Sequence, residues 1–125
     1  MNAPQRTVLI VDDDSQILHL VEKMLRPQGV TVLSASRPSE ALRICEAQPV
    51  HVLISDVMMP EMDGGRLAER VLKLHPEARV LLISGQAKAP AVAKLPNVRF
   101  LRKPFFPSVL IQELRELLEE AETNC

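Results

Sequence analysis

Reactive side chains stand at the ends of most of the short apolar runs in this sequence. They are the carboxylates of Asp12, Asp13 and Asp56, the hydroxyl of Ser84 and the amine of Lys103. If the apolar runs are parallel strands, their carboxyl ends meet at one edge of a sheet, which is where open α/β sheets bind ligands. The sequence therefore predicts one polar site built from these five side chains.

Three clustered carboxylates need a compensating positive charge. Two unit charges about 4 Å apart repel by roughly 1 to 4 kcal/mol, depending on the effective dielectric constant. A hard divalent cation suits oxygen ligands best, and Mg²⁺ needs few protein ligands because it keeps several waters. Lys103 can pair with an anion, and Ser84 can donate its hydroxyl to a transferred oxyanion. With a carboxylate as nucleophile, these groups make a phosphoryl-transfer site.

The elements that position this site follow from the apolar pattern. Continuous β-branched and leucine-rich runs are typical of parallel strands buried on both faces. Amphipathic segments at helical spacing separate them, with Asp14 expected to cap the first helix and the Asp63-Gly64 turn to lead into the third. The alternation predicts an α/β fold with helices on both faces of a parallel sheet. The predicted strands are Val8–Val11, Val30–Leu33, Val50–Ile54, Val80–Ile83 and Val98–Leu101.

Four motifs that follow one another along the chain together resemble the signature motifs of response-regulator receiver domains. These are the receivers of two-component signalling, and the resemblance is to the chemotaxis type. Each motif alone is common, but their joint occurrence at the ends of predicted strands is highly specific. The resemblance implies one receiver domain over residues 1–125, with its core at 7–119. It also implies a flavodoxin-like, doubly wound, five-stranded parallel sheet in the order 2-1-3-4-5 with five helices. The motifs are Val11-Asp12-Asp13-Asp14, Asp56-Val57-Met58-Met59-Pro60-Glu61-Met62-Asp63-Gly64, Ser84-Gly85 and Lys103-Pro104-Phe105.

The resemblance implies roles for the carboxylates. Asp56 is the expected phosphoacceptor, which attacks phosphorus to give an acyl phosphate. Asp13 is the expected direct Mg²⁺ ligand, and Asp12 is expected to hold a water of the metal. Asp56 and the backbone carbonyl of Met58 complete the metal ligands, while the side chains of Met58 and Met59 are expected to pack.

A two-state switch is the second implication of the resemblance. Ser84 is expected to bond the phosphoryl group and Lys103 to pair with it. As Ser84 moves toward the site, Phe100 is expected to rotate into the space that opens. The new charge-assisted bonds would then change the face formed by the fourth helix, the fifth strand and the fifth helix.

The resemblance implies that the chain is a phosphoacceptor in a phosphorelay, expected to catalyse only its own Asp phosphorylation and dephosphorylation. The expected partners are a histidine kinase or histidine phosphotransfer protein and an unknown downstream protein. With 15 basic and 16 acidic residues and neither Trp nor Tyr, no direct binding of nucleic acid is expected. The apolar stretches are shorter than the ~20 residues of a membrane span, and the start lacks a signal-peptide pattern, so a cytoplasmic protein is expected.

Three other function classes remain as alternatives. A receiver-like interaction module could work without phosphorylation, but such a module could lose any of the site residues that are intact here. A hydrolase of the haloacid-dehalogenase type needs a second Asp two residues after the first, where this chain has Met58. A flavodoxin-like electron carrier needs a glycine- and hydroxyl-rich phosphate loop after the first strand, where this chain has three acids.

The segment between Ser84 and Lys103 departs from the family pattern. It is shorter than usual by roughly one helical turn and contains Pro90 and Pro96. Because Pro inside a helix costs about 3 kcal/mol, the fourth helix is predicted to be a short stub that starts near Pro90 and ends before Pro96. A shortened helix here favours a monomer in the unphosphorylated state. The resemblance further implies a cis peptide bond before Pro104.

The cysteines and histidines carry no predicted chemistry. Cys45 lies in a helical pattern and is expected to be a buried apolar side chain, and Cys125 a frayed terminal thiol. His19, His51 and His75 have no mutual spacing that indicates a metal site or a catalytic dyad.

Overall fold

Five parallel strands form one sheet in the computed structural model, which describes residues 5–85 and 89–123. The strands lie in the order β2-β1-β3-β4-β5, and every neighbouring pair is parallel, as predicted. The carboxyl ends of β1 and β3 are therefore neighbours, at the point where the strand order reverses. The bounds are β1 (Thr7–Val11), β2 (Thr31–Ala35), β3 (Val52–Asp56), β4 (Arg79–Ser84) and β5 (Val98–Arg102).

The described part of the chain contains four α-helices. Asp14 caps the first of them, since its Oδ1 accepts hydrogen bonds from the N–H of Gln16 at 2.9 Å and of Ile17 at 3.4 Å. Asp63 caps the third by accepting from the N–H of Arg66 at 3.0 Å. None of the helices described is long and apolar enough to cross a membrane. The bounds are α1 (Ser15–Leu25), α2 (Pro38–Ala47), α3 (Gly64–Leu74) and α4 (Pro107–Thr123).

The predicted fourth of five helices is a single 3₁₀ turn, Ala91–Lys94, so the number of α-helices described is four. Pro90 before the turn and Leu95 after it both have extended backbone, with ψ of 158° and 144°, which leaves four residues to turn. The stub predicted between Pro90 and Pro96 is confirmed. Residues 86–88, just before it, lie outside the described residues.

The two faces of the sheet carry separate apolar layers. Leu9 belongs to the layer that α2 and α3 cover, whereas its neighbours Val8 and Ile10 belong to the layer that α1 and α4 cover. This alternation follows from the period of two along a strand. Cys45 is 2% exposed, and burial raises the pKa of its thiol to about 11, so it is the apolar side chain that was predicted. Cys125 lies outside the described residues.

His51 makes hydrogen bonds that link the starts of β1, β3 and β4. Its ring Nδ1 accepts a hydrogen bond from the N–H of Thr7 at 2.9 Å. Its backbone N–H donates to the Thr7 carbonyl at 2.9 Å, and its carbonyl accepts from the N–H of Arg79 at 2.9 Å. Burial above all, and then the nearby Arg6 and His75, lower the pKa of His51 below its ordinary value of 6.5.

This lowered pKa predicts how stability depends on pH. The folded state binds the His51 proton more weakly than the unfolded chain does, so unfolding is favoured as protons are added. The contribution of His51 is present above about pH 6.5 and lost as the pH falls through the lowered folded pKa. We expect the free energy of unfolding to fall over this window in the parent protein and less in His51→Gln. Denaturant titrations check this, with the exposed His19→Gln as control; equal slopes in parent and His51→Gln would contradict it.

Candidate functional site

Three carboxylates converge at the carboxyl edge of the sheet. Asp12 and Asp13 follow β1, Asp56 is the last residue of β3, and one carboxylate oxygen of each lies within 4.8 Å of the others. Val11 of β1 pairs with Ser55 of β3, so the residues that follow each of them lie close together. Asp12 is buried, Asp56 half-buried and Asp13 exposed, so the cluster has a buried base and an open mouth.

Burial, and then the neighbouring carboxylates, disfavour the charged form of Asp12. Burial raises the pKa of Asp12 above its ordinary value of 3.8, and the charges of Asp56 and Asp13 raise it further. The N–H of Asp14, which donates to Asp12 Oδ1 at 2.9 Å, and the charge of Lys103 act in the opposite direction. A cation between the carboxylates would offset both the burial and the repulsion.

Lys103 reaches the cluster from the end of β5. The side-chain Nζ of Lys103 lies 3.6 Å from Oδ2 of Asp56. The backbone N–H of Lys103 donates to the Ser84 carbonyl at 2.9 Å. The peptide bond between Lys103 and Pro104 is cis, as predicted. The other oxygen of Asp56, Oδ1, accepts from the N–H of Met58 at 3.3 Å. Lys103 and the Met58 N–H therefore contact the two oxygens of the Asp56 carboxylate. The Asp56 side chain is still 12% exposed, so a phosphodonor can reach it.

The predicted switch residues lie on β4 and β5, the two strands at one end of the sheet. Ser84 ends β4 and is fully buried, while Phe100 is half-buried in β5 opposite Leu82. Phe100 packs against the apolar layer under α2 and α3. Met59 packs against the same layer, but the prediction was wrong for Met58, which is 57% exposed.

Gly64 has a role at the site that sequence reasoning missed. It is the first residue of α3, it is buried, and its N–H donates to the Val57 carbonyl at 2.8 Å. A Cβ at this position would overlap the carbonyl oxygen of Asp56 and lie 3.0 Å from Val57 Cα. Both obstacles are backbone, so no rotamer change relieves them. The interpretation of Asp63-Gly64 as turn chemistry alone is therefore incomplete, because Gly64 also lets α3 approach the segment that carries Asp56.

The donor set fits a hard cation. All the converging atoms are carboxylate oxygens, the ligand type that Mg²⁺ and Ca²⁺ prefer. Within the ranges that the structure describes, this is the one group of three or more His, Cys, Asp or Glu side chains close enough to share an ion. Soft transition metals favour sulfur or imidazole, which this cluster lacks.

Comparison with known proteins identifies the family. A family model described as the response regulator receiver domain matches residues 8–115. The chain belongs to this family. A solved CheY-like receiver domain from Methanospirillum hungatei shares the fold with a TM-score of 0.91 at 27% identity, covering 98% of this chain and 100% of that one.

Curated relatives of this receiver domain include both long and short proteins. It is 36% identical over 121 residues to the sensor kinase CckA of Brucella abortus, covering 93% of this chain and 13% of CckA. It is 29% identical over 119 residues to the receiver protein CpdR of the same organism, covering 90% of this chain and 97% of CpdR. The receiver spans 13% to 26% of the length of the relatives it matches first, and its extent as a domain over 1–125 stays a prediction.

Proposed function

We propose that this receiver takes a phosphoryl group onto Asp56 from the phosphohistidine of a histidine kinase or phosphotransfer protein. One observation carries the proposal: a half-buried carboxylate stands among two further carboxylates with a lysine amine 3.6 Å away. The family membership supports it, and the similarity to a sensor kinase supports a kinase as the partner. The phosphorylated form then alters a surface that binds a downstream protein.

The transfer is a single displacement at phosphorus. A carboxylate oxygen of Asp56 forms a bond to phosphorus while the bond from phosphorus to the histidine nitrogen breaks. The nitrogen keeps the electron pair and takes up a proton. Lys103 lies where it can pair with the charge on the phosphoryl oxygens, and the buried Ser84 hydroxyl is the expected donor to one of them.

Asp12, Asp13 and Asp56 would hold Mg²⁺, together with the backbone carbonyl of Met58. When bound, the ion neutralises charge on the phosphoryl oxygens and orients the group for transfer. The product remains covalently attached to the protein. The receiver is therefore proposed to catalyse only its own phosphorylation and dephosphorylation, not to turn over an external substrate.

Metal binding has a measurable effect on stability. Mg²⁺ that binds only the folded state should add about 1.4 kcal/mol per tenfold excess over Kd near saturation. Asp13→Asn should lose most of this gain, because it removes one ligand charge from an exposed position of the cluster. Without Mg²⁺ the same variant should be more stable than the parent by about 1 kcal/mol, since repulsion is relieved. Thermal melts with and without Mg²⁺ check both signs, with the exposed Glu69→Gln as control; a parent melting temperature indifferent to Mg²⁺ would contradict the site.

A small phosphodonor separates the proposal from an interaction module that works without phosphorylation. Incubation of the parent protein with acetyl phosphate and Mg²⁺ should add the mass of one phosphoryl group. The same incubation with EDTA should leave the mass unchanged, because the carboxylate charges are then uncompensated. Intact-protein mass spectrometry measures both. A protein that stays folded, binds Mg²⁺ and gains no mass would favour the interaction module.

A further inference from the structure

Glu61 has a backbone conformation that residues with a side chain rarely adopt. Its φ is 72°, the one positive φ among the described residues other than glycine. The N–H of Met62 donates to the Pro60 carbonyl at 2.8 Å, which closes a three-residue turn around Glu61. A turn of this kind with a positive central φ is rare and strained. Such strain persists only where the surrounding structure holds it, and it is concentrated at functional sites.

The side chain of Glu61 attaches this turn to the start of α2. Its Oε1 accepts a hydrogen bond from the backbone N–H of Ser39 at 3.3 Å. Ser39 is the second residue of α2, where N–H groups have no partner inside the helix. Arg37, the residue before the helix, makes no capping hydrogen bond with its side chain. Glu61 therefore caps α2 from a distant loop, and its negative charge suits the positive end of the helix.

The loop that joins β3 to α3, residues 57–63, is fixed at its base and at its far end. At the base, the N–H of Gly64 donates to the Val57 carbonyl at 2.8 Å. At the far end, Glu61 is bonded to α2. Met58 lies between these two attachments along the chain, so the direction of its backbone carbonyl depends on both of them.

The turn around Glu61 lies beside the carboxylate cluster. Pro60 and Glu61 line a cleft of about 240 Å³ together with Asp13, the exposed member of the cluster. Within the described segments, the carboxylates close enough to share an ion are those of Asp12, Asp13 and Asp56, and Glu61 is not among them. Its position therefore suits a residue that orients a ligand better than one that binds the ion.

We propose that Glu61 is a positioning residue of the metal site. By capping α2 it holds the strained turn in place, and the turn sets the direction of the Met58 carbonyl. The inference rests on the proposed function, because this carbonyl is a ligand only if the receiver binds Mg²⁺ at the cluster. It adds the side chain that keeps the ligand in position and the helix to which the loop is attached.

Glu61→Ala and Glu61→Gln separate the hydrogen bond from the charge. Alanine keeps the strained backbone and loses the bond to Ser39, whereas glutamine keeps an oxygen acceptor and loses only the charge. In Mg²⁺ titrations of the full chain followed by ¹H–¹⁵N spectra, Glu61→Ala should bind about tenfold more weakly than the parent, as is usual for residues that orient ligands. Glu61→Gln should stay within about threefold, since salt screens an exposed charge. Equal weakening in both variants would indicate a charge effect and overturn the positioning role.

Glu40→Ala is the matched control at the same end of α2. The Oε1 of Glu40 accepts from the N–H of Ser36 at 2.8 Å, so this carboxylate supports the helix start without joining it to the loop. The control should melt at a lower temperature than the parent, as Glu61→Ala does, but bind Mg²⁺ like the parent. Equal loss of Mg²⁺ affinity in the two alanine variants would show that any damage to the start of α2 weakens the site, and would overturn the specific role of Glu61.

The carbonyl ¹³C resonance of Met58 reports the ligand itself. In the parent, Mg²⁺ should shift this resonance together with the amide of Asp13. At saturating Mg²⁺, Glu61→Ala should keep the Asp13 shift and show a smaller Met58 carbonyl shift. An unchanged Met58 shift in this variant, or a parent in which Mg²⁺ shifts Asp13 and not Met58, would overturn the proposal and leave the carboxylate site intact. A parent without any Mg²⁺-dependent shift would instead contradict the metal site of the proposed function, and the role of Glu61 with it.

Discussion

Asp56→Asn should take up no phosphoryl group from acetyl phosphate and Mg²⁺, whereas the parent takes up one. The amide has the shape of the carboxylate but is not a nucleophile, so the displacement at phosphorus has no attacking atom. The fold should persist. The variant loses the pair with Lys103, which lies 3.6 Å away, but it also relieves repulsion from Asp12 and Asp13. Intact mass reports the transfer, and a thermal melt reports the fold.

Asp14→Asn is the matched control for this variant. Asp14 lies in the same acidic motif but outside the carboxylate cluster, and it caps α1. Because Asn caps helices about as well as Asp does, stability should be nearly unchanged. The control should be phosphorylated like the parent. Persistent phosphorylation of Asp56→Asn, or equal loss in both variants, would contradict the assignment.

Gly64→Ala should cost about 2 kcal/mol of folding stability or more, a value typical of an overpacked site. The added Cβ overlaps the backbone carbonyl of Asp56, so α3 or the end of β3 must shift. That shift also moves the Asp56 carboxylate relative to Lys103, and we expect slower phosphorylation. Denaturant unfolding measures the first effect, and the rate of mass gain with acetyl phosphate measures the second.

Gly85→Ala provides the comparison for Gly64→Ala. An added Cβ at Gly85 meets nothing within 4 Å, so the change in stability should stay within about 0.5 kcal/mol. Similar losses at both glycines would show that the cost is a general effect of replacing glycine. The loss of stability in Gly64→Ala would then not be evidence for the close approach of α3 to Asp56.

The parts of the fold that follow from local pattern were predictable from the sequence. Apolar runs buried on both faces fixed the strands, and the residues at their ends indicated the edge where the site lies. The predicted boundaries differ from the observed ones. The third strand begins at Val52 rather than Val50, because its register with β1 starts at the pairing of Val8 with Val52. Two prolines were enough to predict the shortened segment at Ala91–Lys94.

Features that depend on contacts between distant segments could not be read from spacing. The steric role of Gly64 arises where α3 packs on the end of β3, and no local rule for turns contains that contact. His51 and His75 line one cavity only because the starts of β3 and β4 are adjacent in the sheet.

The most direct test of the central proposal is to locate the carboxylate that carries the phosphoryl group. Hydroxylamine converts an acyl phosphate into a hydroxamate, which peptide mass mapping assigns to one residue. After treatment with acetyl phosphate and Mg²⁺, we predict a hydroxamate at Asp56 alone, the carboxylate that Lys103 approaches. A hydroxamate at Asp12 or Asp13, or a phosphoryl mass that survives hydroxylamine, would contradict the assignment of Asp56 as the phosphoacceptor.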